Sequence, residues 1–192
     1  MAKKVTQRRW LSTVDLLTMA VVAVVGAFFS AHVWTAVMNV ATPVFAFLGP
    51  VGWIAVSGIY VIWPAIVGLL VCKPGAVTLY AIVQGFVEMF FGNPFGAMAM
   101  LYSGTEGLGV DIGMGVFRWR GRLPAILLGG GLGSLIVDEI YIFLFGMQST
   151  YTVIVGGITA FFSGAILGGL VGWLIVQALY RTGVVSGIGY KG

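Results

Sequence analysis

Two long runs without a charged residue dominate this sequence. Residues Leu16 to Cys72 contain no Asp, Glu, Lys or Arg, and neither do residues Ile140 to Tyr180. A membrane-spanning helix needs about 20 apolar residues, so each run can cross a bilayer, and the first run predicts two crossings. Because both runs are continuously apolar rather than alternating, they favour helices over the strands of a membrane barrel. The sequence therefore predicts an all-α integral membrane protein.

Proline and glycine clusters divide the chain into six predicted transmembrane helices within one membrane domain, residues 1–192. These residue types disfavour a continuous helix, and one cluster (Pro43, Gly49 and Pro50) interrupts the segment Asn39 to Pro50. This segment predicts a short hydrophobic loop or half-helix that closes a site as a lid. The predicted spans cover about residues 14–38, 51–71, 76–91, 97–117, 123–145 and 152–180.

The ten basic residues all fall on one predicted side of the membrane. They are Lys3, Lys4, Arg8, Arg9, Lys73, Arg118, Arg120, Arg122, Arg181 and Lys191. Cytoplasmic loops carry an excess of Lys and Arg, so both termini are predicted to be cytoplasmic in a bacterial plasma membrane, and no nucleic-acid partner is expected. A signal peptide cleaved near Ser30 is an alternative for the first apolar run, but its length favours a retained helix.

All six acidic residues lie within or at the end of predicted spans. A carboxylate that faces hydrocarbon is costly, so acids in spans mark functional sites by default. With a rise of about 1.5 Å per residue, Glu88, Glu106 and the pair Asp138-Glu139 lie one or two turns below the outer helix ends and predict one outward-facing pocket. Adjacent helical residues point about 100° apart, so one of the pair should face the pocket, and we choose Glu139. The role of Asp111 stays open.

Aromatic and neutral polar side chains surround these acids. An interfacial aromatic belt is the alternative explanation for the rings, and His32 fits a core histidine equally well. The outer half has no predicted base, so the pocket suits a cationic or proton-coupled ligand, and stacking and cation–π attraction favour a flat heteroaromatic cation. The candidate stacking residues are Trp34, Tyr102 and Tyr141, and the candidate hydrogen-bonding residues are His32, Asn39 and Gln84.

Catalytic motifs are missing from the sequence. It contains no HExxH, no GxSxG and no catalytic Cys/His pairing, and the single His and single Cys leave no metal-ligand cluster. The sequence therefore predicts no metal, no cofactor and no enzymatic activity. A hydrolase built from His32 with Ser57 or Ser103 remains the enzymatic alternative.

Alanine recurs every four residues along the first span, at Ala23, Ala27 and Ala31. Small residues on one stripe let helices approach closely. The stripe therefore predicts a helix contact, either within this chain or with a different protein.

The run from Thr78 to Trp119 (TLYAIVQGFVEMFFGNPFGAMAMLYSGTEGLGVDIGMGVFRW) resembles the YkoE-type family of S-components, the substrate-binding subunits of energy-coupling factor vitamin transporters. The resemblance implies a six-helix bundle that binds thiamin or its hydroxymethylpyrimidine precursor and has no ATPase of its own. It also implies a transmembrane T-component and two cytoplasmic ATPase subunits as partners. The family's docking motif maps onto Ala23 and Ala27, with Ala31 as an extension.

Thiamin matches the predicted pocket in charge and shape. It carries a permanent thiazolium charge, an aminopyrimidine and two stackable rings, whereas a ligand that carries phosphate should be rejected by a pocket without bases. Two alternatives remain: a secondary transporter in which Glu106 and Asp111 carry protons, and an intramembrane enzyme.

Overall fold

The structure, a computed structural model, describes residues 10–183, which form six helices and no strand. The helices are α1 (Thr13–Val44), α2 (Pro50–Val71), α3 (Ala76–Phe90), α4 (Met98–Val116), α5 (Leu123–Leu144) and α6 (Thr150–Arg181). The predicted all-α membrane fold is confirmed. Lys3, Lys4, Arg8, Arg9 and Lys191 lie outside the described residues, so the cytoplasmic placement of the termini stays a prediction.

Four of these helices, α1, α2, α5 and α6, are each long and apolar enough to cross a membrane. The other two are less suited to face lipid on every side: α3 has 15 residues, and α4 carries the acids Glu106 and Asp111. Each of these two helices packs closely on the other and on a longer neighbour, so their polar side chains face the bundle interior.

The first helix is longer than the sequence predicts. It continues through Asn39 and includes Pro43, which lies next to its last residue, Val44. A proline there removes a hydrogen bond only from the final turn, so it does not break the helix as it would in the middle. After α1 ends, a 3-10 turn at Ala46–Leu48 leads to Gly49, whose φ of 60° suits glycine. Pro50 then opens α2 at a position that proline favours.

Glycines bring the backbones of α4, α5 and α6 into direct contact. A Cβ atom on Gly113 would lie 2.3 Å from the backbone of Gly129, and one on Gly164 would lie 2.2 Å from the carbonyl oxygen of Gly130. Side chains at these positions would force the helices apart. The glycines therefore permit the close packing that positions the acids of α4 and α5 beside each other.

The alanine stripe of α1 faces the chain's own helices. Ala23, Ala27 and Ala31 are all buried, and Ala23 packs in a cluster with Val67 of α2 and Tyr80 of α3. Small side chains here let α1 approach α2 and α3 closely. The expected docking role of these three alanines is therefore corrected, because in this structure they are not accessible to a partner.

Two of the six acids hold helix ends together. Asp15 forms a capping box with Ser12 at the start of α1 and an ion pair with Lys73, whose Nζ lies 2.5 Å from Oδ2. Asp111 accepts hydrogen bonds from the backbone N–H of Thr78 at 2.8 Å and from its hydroxyl at 2.6 Å, and Trp119 Nε1 lies 3.4 Å from the other oxygen. Asp111 thus caps the first turn of α3, a structural role that the sequence left open.

Candidate ligand-binding site

A cavity opens between the first five helices at the end of the bundle opposite Lys73. Its empty volume, which includes the open mouth, is about 520 Å³. The lining contains three carboxyl groups and no basic side chain. The carboxyl groups belong to Glu88 of α3, Glu106 of α4 and Asp138 of α5.

Glu88 is held on both oxygens by neighbouring amides. Its Oε1 accepts a hydrogen bond from Gln84 Nε2 at 2.8 Å, and its Oε2 accepts one from Asn93 Nδ2 at 2.7 Å. Asn93 is itself fixed because its Oδ1 accepts from the backbone N–H of Phe95. The side chain of Glu88 is only 3% exposed, so these amides compensate for the water that burial removes.

Asp138 is held by two serine hydroxyls. Ser57 Oγ of α2 lies 2.6 Å from Asp138 Oδ2, and Ser134 Oγ, one turn earlier on α5, lies 3.1 Å from the same oxygen. Asp138 is 1% exposed. Its contacts join α2 to α5 at the base of the cavity.

Glu106 differs from the other two acids because it has no hydrogen-bond partner among the described residues. It is 8% exposed and faces the cavity from α4. Its carboxyl oxygens are not fully enclosed by the protein, so they are open to a partner that enters the cavity. Glu106 is therefore the polar group that a bound molecule would stabilise most.

Aromatic rings form one wall of the cavity. Trp53 and Tyr141 are stacked, with ring centroids 4.8 Å apart and planes inclined by 15°. Phe95 meets Tyr102 edge-on at 5.4 Å, and Tyr102 lies 6.1 Å from Tyr141. These rings come from α2, α4, α5 and the loop after α3, so the wall forms only when those elements pack together.

Five of the residues expected at the pocket do not line it, namely Glu139, Trp34, His32, Asn39 and Gln84. Glu139 lies in a groove between α5 and α6, against Gly157. Adjacent residues of a helix point about 100° apart, so Glu139 points away from the cavity while Asp138 faces it. Trp34 packs on Phe29 with ring centroids 5.8 Å apart. His32 is exposed and packs on Phe28, and Asn39 is exposed. The choice of Glu139 over Asp138 is therefore corrected.

The displaced residues of α1 share one cause. Phe29–Trp34 forms a π-helical turn, which contains more residues per turn than an α-helix. Side chains within and after this turn point in directions that α-helical spacing does not predict. Gln84, in contrast, lies behind the lining and contacts Glu88 rather than the cavity.

Sequence reasoning missed several lining residues, among them Ser30, Ser57, Asn93, Phe95 and Trp53. The loop residues Asn93 and Phe95 follow Glu88 closely, and this proximity was the one available signal for them. Ser57 and Trp53 lie on α2, where no acid marks the inward face. Among residues 10–183, no group of three or more His, Cys, Asp or Glu side chains is placed to hold a metal ion.

Known proteins resemble this chain in sequence and in architecture. The Bacillus subtilis (strain 168) protein named "Putative HMP/thiamine permease protein YkoE" is 29% identical over 143 residues, which cover 73% of this chain and 72% of that protein. A solved structure titled "Crystal structure of an S-component of ECF transporter" matches with a TM-score of 0.82 and 28% identity, covering 93% of this chain and 90% of that one. The family described as "ABC-type cobalt transport system, permease component" matches residues 14–136. The chain belongs to this family.

Together these likenesses make the protein a YkoE-like S-component, as the run from Thr78 to Trp119 predicted. It is a multi-pass membrane protein with a role in transport, which confirms the predicted location in the plasma membrane. Its homologues are transporter components. The cavity described above lies within the S-component fold.

Proposed function

We propose that this S-component binds thiamin or its hydroxymethylpyrimidine precursor in the cavity and delivers it to an ATP-driven importer. The observation on which the proposal rests is that Glu106 faces the cavity without a hydrogen-bond partner among residues 10–183. A cationic or amine-bearing ring would supply the missing charge and hydrogen-bond donors. The printed name of the Bacillus subtilis relative, which mentions HMP and thiamine, supports this ligand class.

The aromatic wall supports a ring-shaped ligand. The stacked pair of Trp53 and Tyr141, together with Tyr102, offers flat surfaces beside the three acids. Stacking and cation–π contacts on such surfaces favour a heteroaromatic cation. A phosphorylated ligand would meet three carboxyl groups and no base, so we expect the cavity to reject it.

The structure disfavours both alternatives. A proton route through Glu106 and Asp111 is opposed by the contacts of Asp111, whose two oxygens are engaged at the start of α3. A hydrolase would need His32 beside a serine, but His32 lies outside the cavity on an exposed face, and Ser57 contacts Asp138. We therefore infer that the protein binds its ligand without altering it.

A binding titration of the full chain, purified in detergent, tests this proposal. The titrants are thiamin, hydroxymethylpyrimidine and thiamin pyrophosphate, and mass analysis of the recovered ligand follows. We expect tight binding of an unchanged, unphosphorylated compound and no measurable binding of the pyrophosphate. Absence of binding by both unphosphorylated compounds would refute the ligand assignment, and a chemically altered ligand would refute the non-enzymatic role.

Transport would require a T-component and two ATPase subunits, and α1 is the proposed docking helix. Its alanine stripe is buried, so we propose that the opposite face, with Val21, Val24 and Phe28, meets the T-component. Val24 is 51% exposed. We expect Val24→Trp to reduce uptake at least about tenfold in cells that express all subunits, because a bulky side chain disturbs close helix packing, while ligand binding by the purified chain is unchanged.

A matched substitution on another exposed face controls for effects of a bulky side chain in lipid. Ile158 of α6 is 57% exposed, and Ile158→Trp should leave both uptake and binding unchanged. Equal uptake by the two variants would remove this face of α1 from the docking site.

A further inference from the structure

A hydrogen-bonded chain of side chains leads from the cavity to α1. Tyr80, Gln84 and Glu88 are spaced four residues apart on one face of α3, and all three are buried. Tyr80 donates to Gln84 Oε1, and Gln84 Nε2 lies 2.8 Å from Glu88 Oε1 and 3.3 Å from Ser30 Oγ. Ser30 belongs to the π-helical turn of α1. Gln84 therefore connects a cavity acid to a different helix.

The amide of Gln84 suits this position because it donates and accepts at once. Its two N–H groups face Glu88 and Ser30, and its oxygen accepts from Tyr80. A carboxylate would repel Glu88, and an apolar side chain would leave all three neighbours without this partner. Both donors of this amide and one lone pair of its oxygen are used by protein groups, so Gln84 joins protein elements rather than a ligand.

The attachment of α1 differs from that of the neighbouring helices. Where α3 meets α4, a Cβ atom on Gly85 would lie 2.7 Å from the backbone of Ala99, so these helices touch through their backbones. At Gly26 of α1 the nearest atoms belong to side chains, including Gln84 Oε1 at 2.9 Å. The Gln84 side chain is thus part of the surface on which α1 rests.

Two indole N–H groups lie unsatisfied along the same boundary. Trp34 Nε1 of α1 and Trp63 Nε1 of α2 are buried without a hydrogen-bond partner among the described residues, and both rings pack on Phe29. Buried donors are normally paired. The contact between α1 and α2 is therefore less completely hydrogen-bonded here than the contacts around Gln84.

We infer that Gln84 is a positioning residue, which orients Glu88 in the cavity and couples its position to the π-helical turn of α1 through Ser30. The coupling rests on the proposed function, because a ligand in the cavity is what would displace Glu88. Since α1 is also the proposed docking helix, the connection offers a route by which the loaded state of the cavity changes the surface that the partner meets.

Hydrogen exchange of the full-length protein in detergent tests the inference, with and without thiamin or hydroxymethylpyrimidine. The variant is Ser30→Ala, which removes the hydrogen bond between Gln84 and α1. The matched control is Ser134→Ala, which removes a serine hydroxyl that contacts the cavity acid Asp138 and leaves the contact between Gln84 and Ser30 in place. Without ligand, we expect exchange in residues 26–36 to rise about fivefold in the variant and to be unchanged in the control, because local opening follows the loss of a hydrogen bond.

The ligand experiment supplies a result that a purely structural role would not give. Since Ser30 also lines the cavity, a ligand that touches it protects residues 26–36 directly, so Gln84→Leu, which leaves Ser30 in place, decides the coupling. At saturating ligand, exchange in these residues should slow in the original protein and in Ser134→Ala but not in Gln84→Leu, and protection that persists in Gln84→Leu would overturn the coupling. Equal exchange by the two serine variants without ligand would overturn the connection. Bound ligand that leaves exchange in α1 unchanged would overturn the coupling. If neither compound binds, the proposed ligand fails, while the ligand-free comparison still decides whether Ser30 anchors α1.

Discussion

Replacement of Glu106 by Gln is expected to weaken thiamin binding at least tenfold, which corresponds to about 1.4 kcal/mol. The substitution keeps the size and shape of the side chain but removes its capacity for negative charge. Glu88 and Asp138 contact amide or hydroxyl groups of the protein, whereas Glu106 has no such partner among the described residues. The ligand therefore has its strongest available electrostatic contact at Glu106. Isothermal titration calorimetry of the detergent-purified variant measures the effect.

Glu139→Gln is the matched control for this experiment. Glu139 is one residue beyond the cavity acid Asp138 but lies in the groove between α5 and α6. We expect this second variant to bind thiamin with unchanged affinity. If the two variants lose the same affinity, the effect is one of overall charge, and Glu106 is not the contact that we propose. If hydroxymethylpyrimidine is the tighter ligand, the same comparison applies to it.

The acids show how far the sequence predicts the cavity. Carboxyl groups inside apolar spans must face something other than lipid. This constraint was enough to predict that Glu88 and Glu106 line the same cavity. It could not choose between Asp138 and Glu139, because the choice depends on the rotation of α5. Glycine contacts between backbones set that rotation, including Gly113 with Gly129, and such contacts appear only when the helices are packed.

The first helix shows where prediction from spacing fails. The π-helical turn Phe29–Trp34 changes the direction of the side chains that follow it, and no residue type in the segment FSAHVW identifies such a turn in advance. The alanine stripe fails for a different reason. Small residues show that a helix approaches closely, but they do not show whether that helix belongs to the same chain.

The resemblance and the geometry contribute different parts of the functional conclusion. The likeness of Thr78 to Trp119 to a known family identified the class of protein without locating the contacts around the cavity. The structure shows that two cavity acids accept hydrogen bonds from protein groups, whereas the third has no such bond within residues 10–183. That difference makes the ligand proposal specific to one residue.

Gly113→Ala is expected to lower the midpoint of thermal unfolding by several degrees. The added Cβ would lie 2.3 Å from the backbone of Gly129, a distance that α4 and α5 can relieve only by moving apart. Overpacking of this kind typically costs about 1–3 kcal/mol, and about 2–4 °C accompanies each kcal/mol in a protein of this size. Since α4 carries Glu106 and α5 carries Asp138, the same movement should also weaken ligand binding. Circular dichroism in detergent measures the midpoint.

Gly104→Ala provides the control within the same helix. Its Cβ would lie 3.2 Å from Cγ1 of Ile82, a side chain that is 41% exposed and can shift, instead of from a backbone atom. Both substitutions increase helix propensity by roughly the same amount, so the difference between their unfolding midpoints isolates the contact between α4 and α5. Gly104→Ala should unfold at or above the original midpoint. Equal midpoints for the two variants would show that α4 and α5 tolerate a wider separation, and the cavity acids would then depend less on glycine packing than the structure indicates.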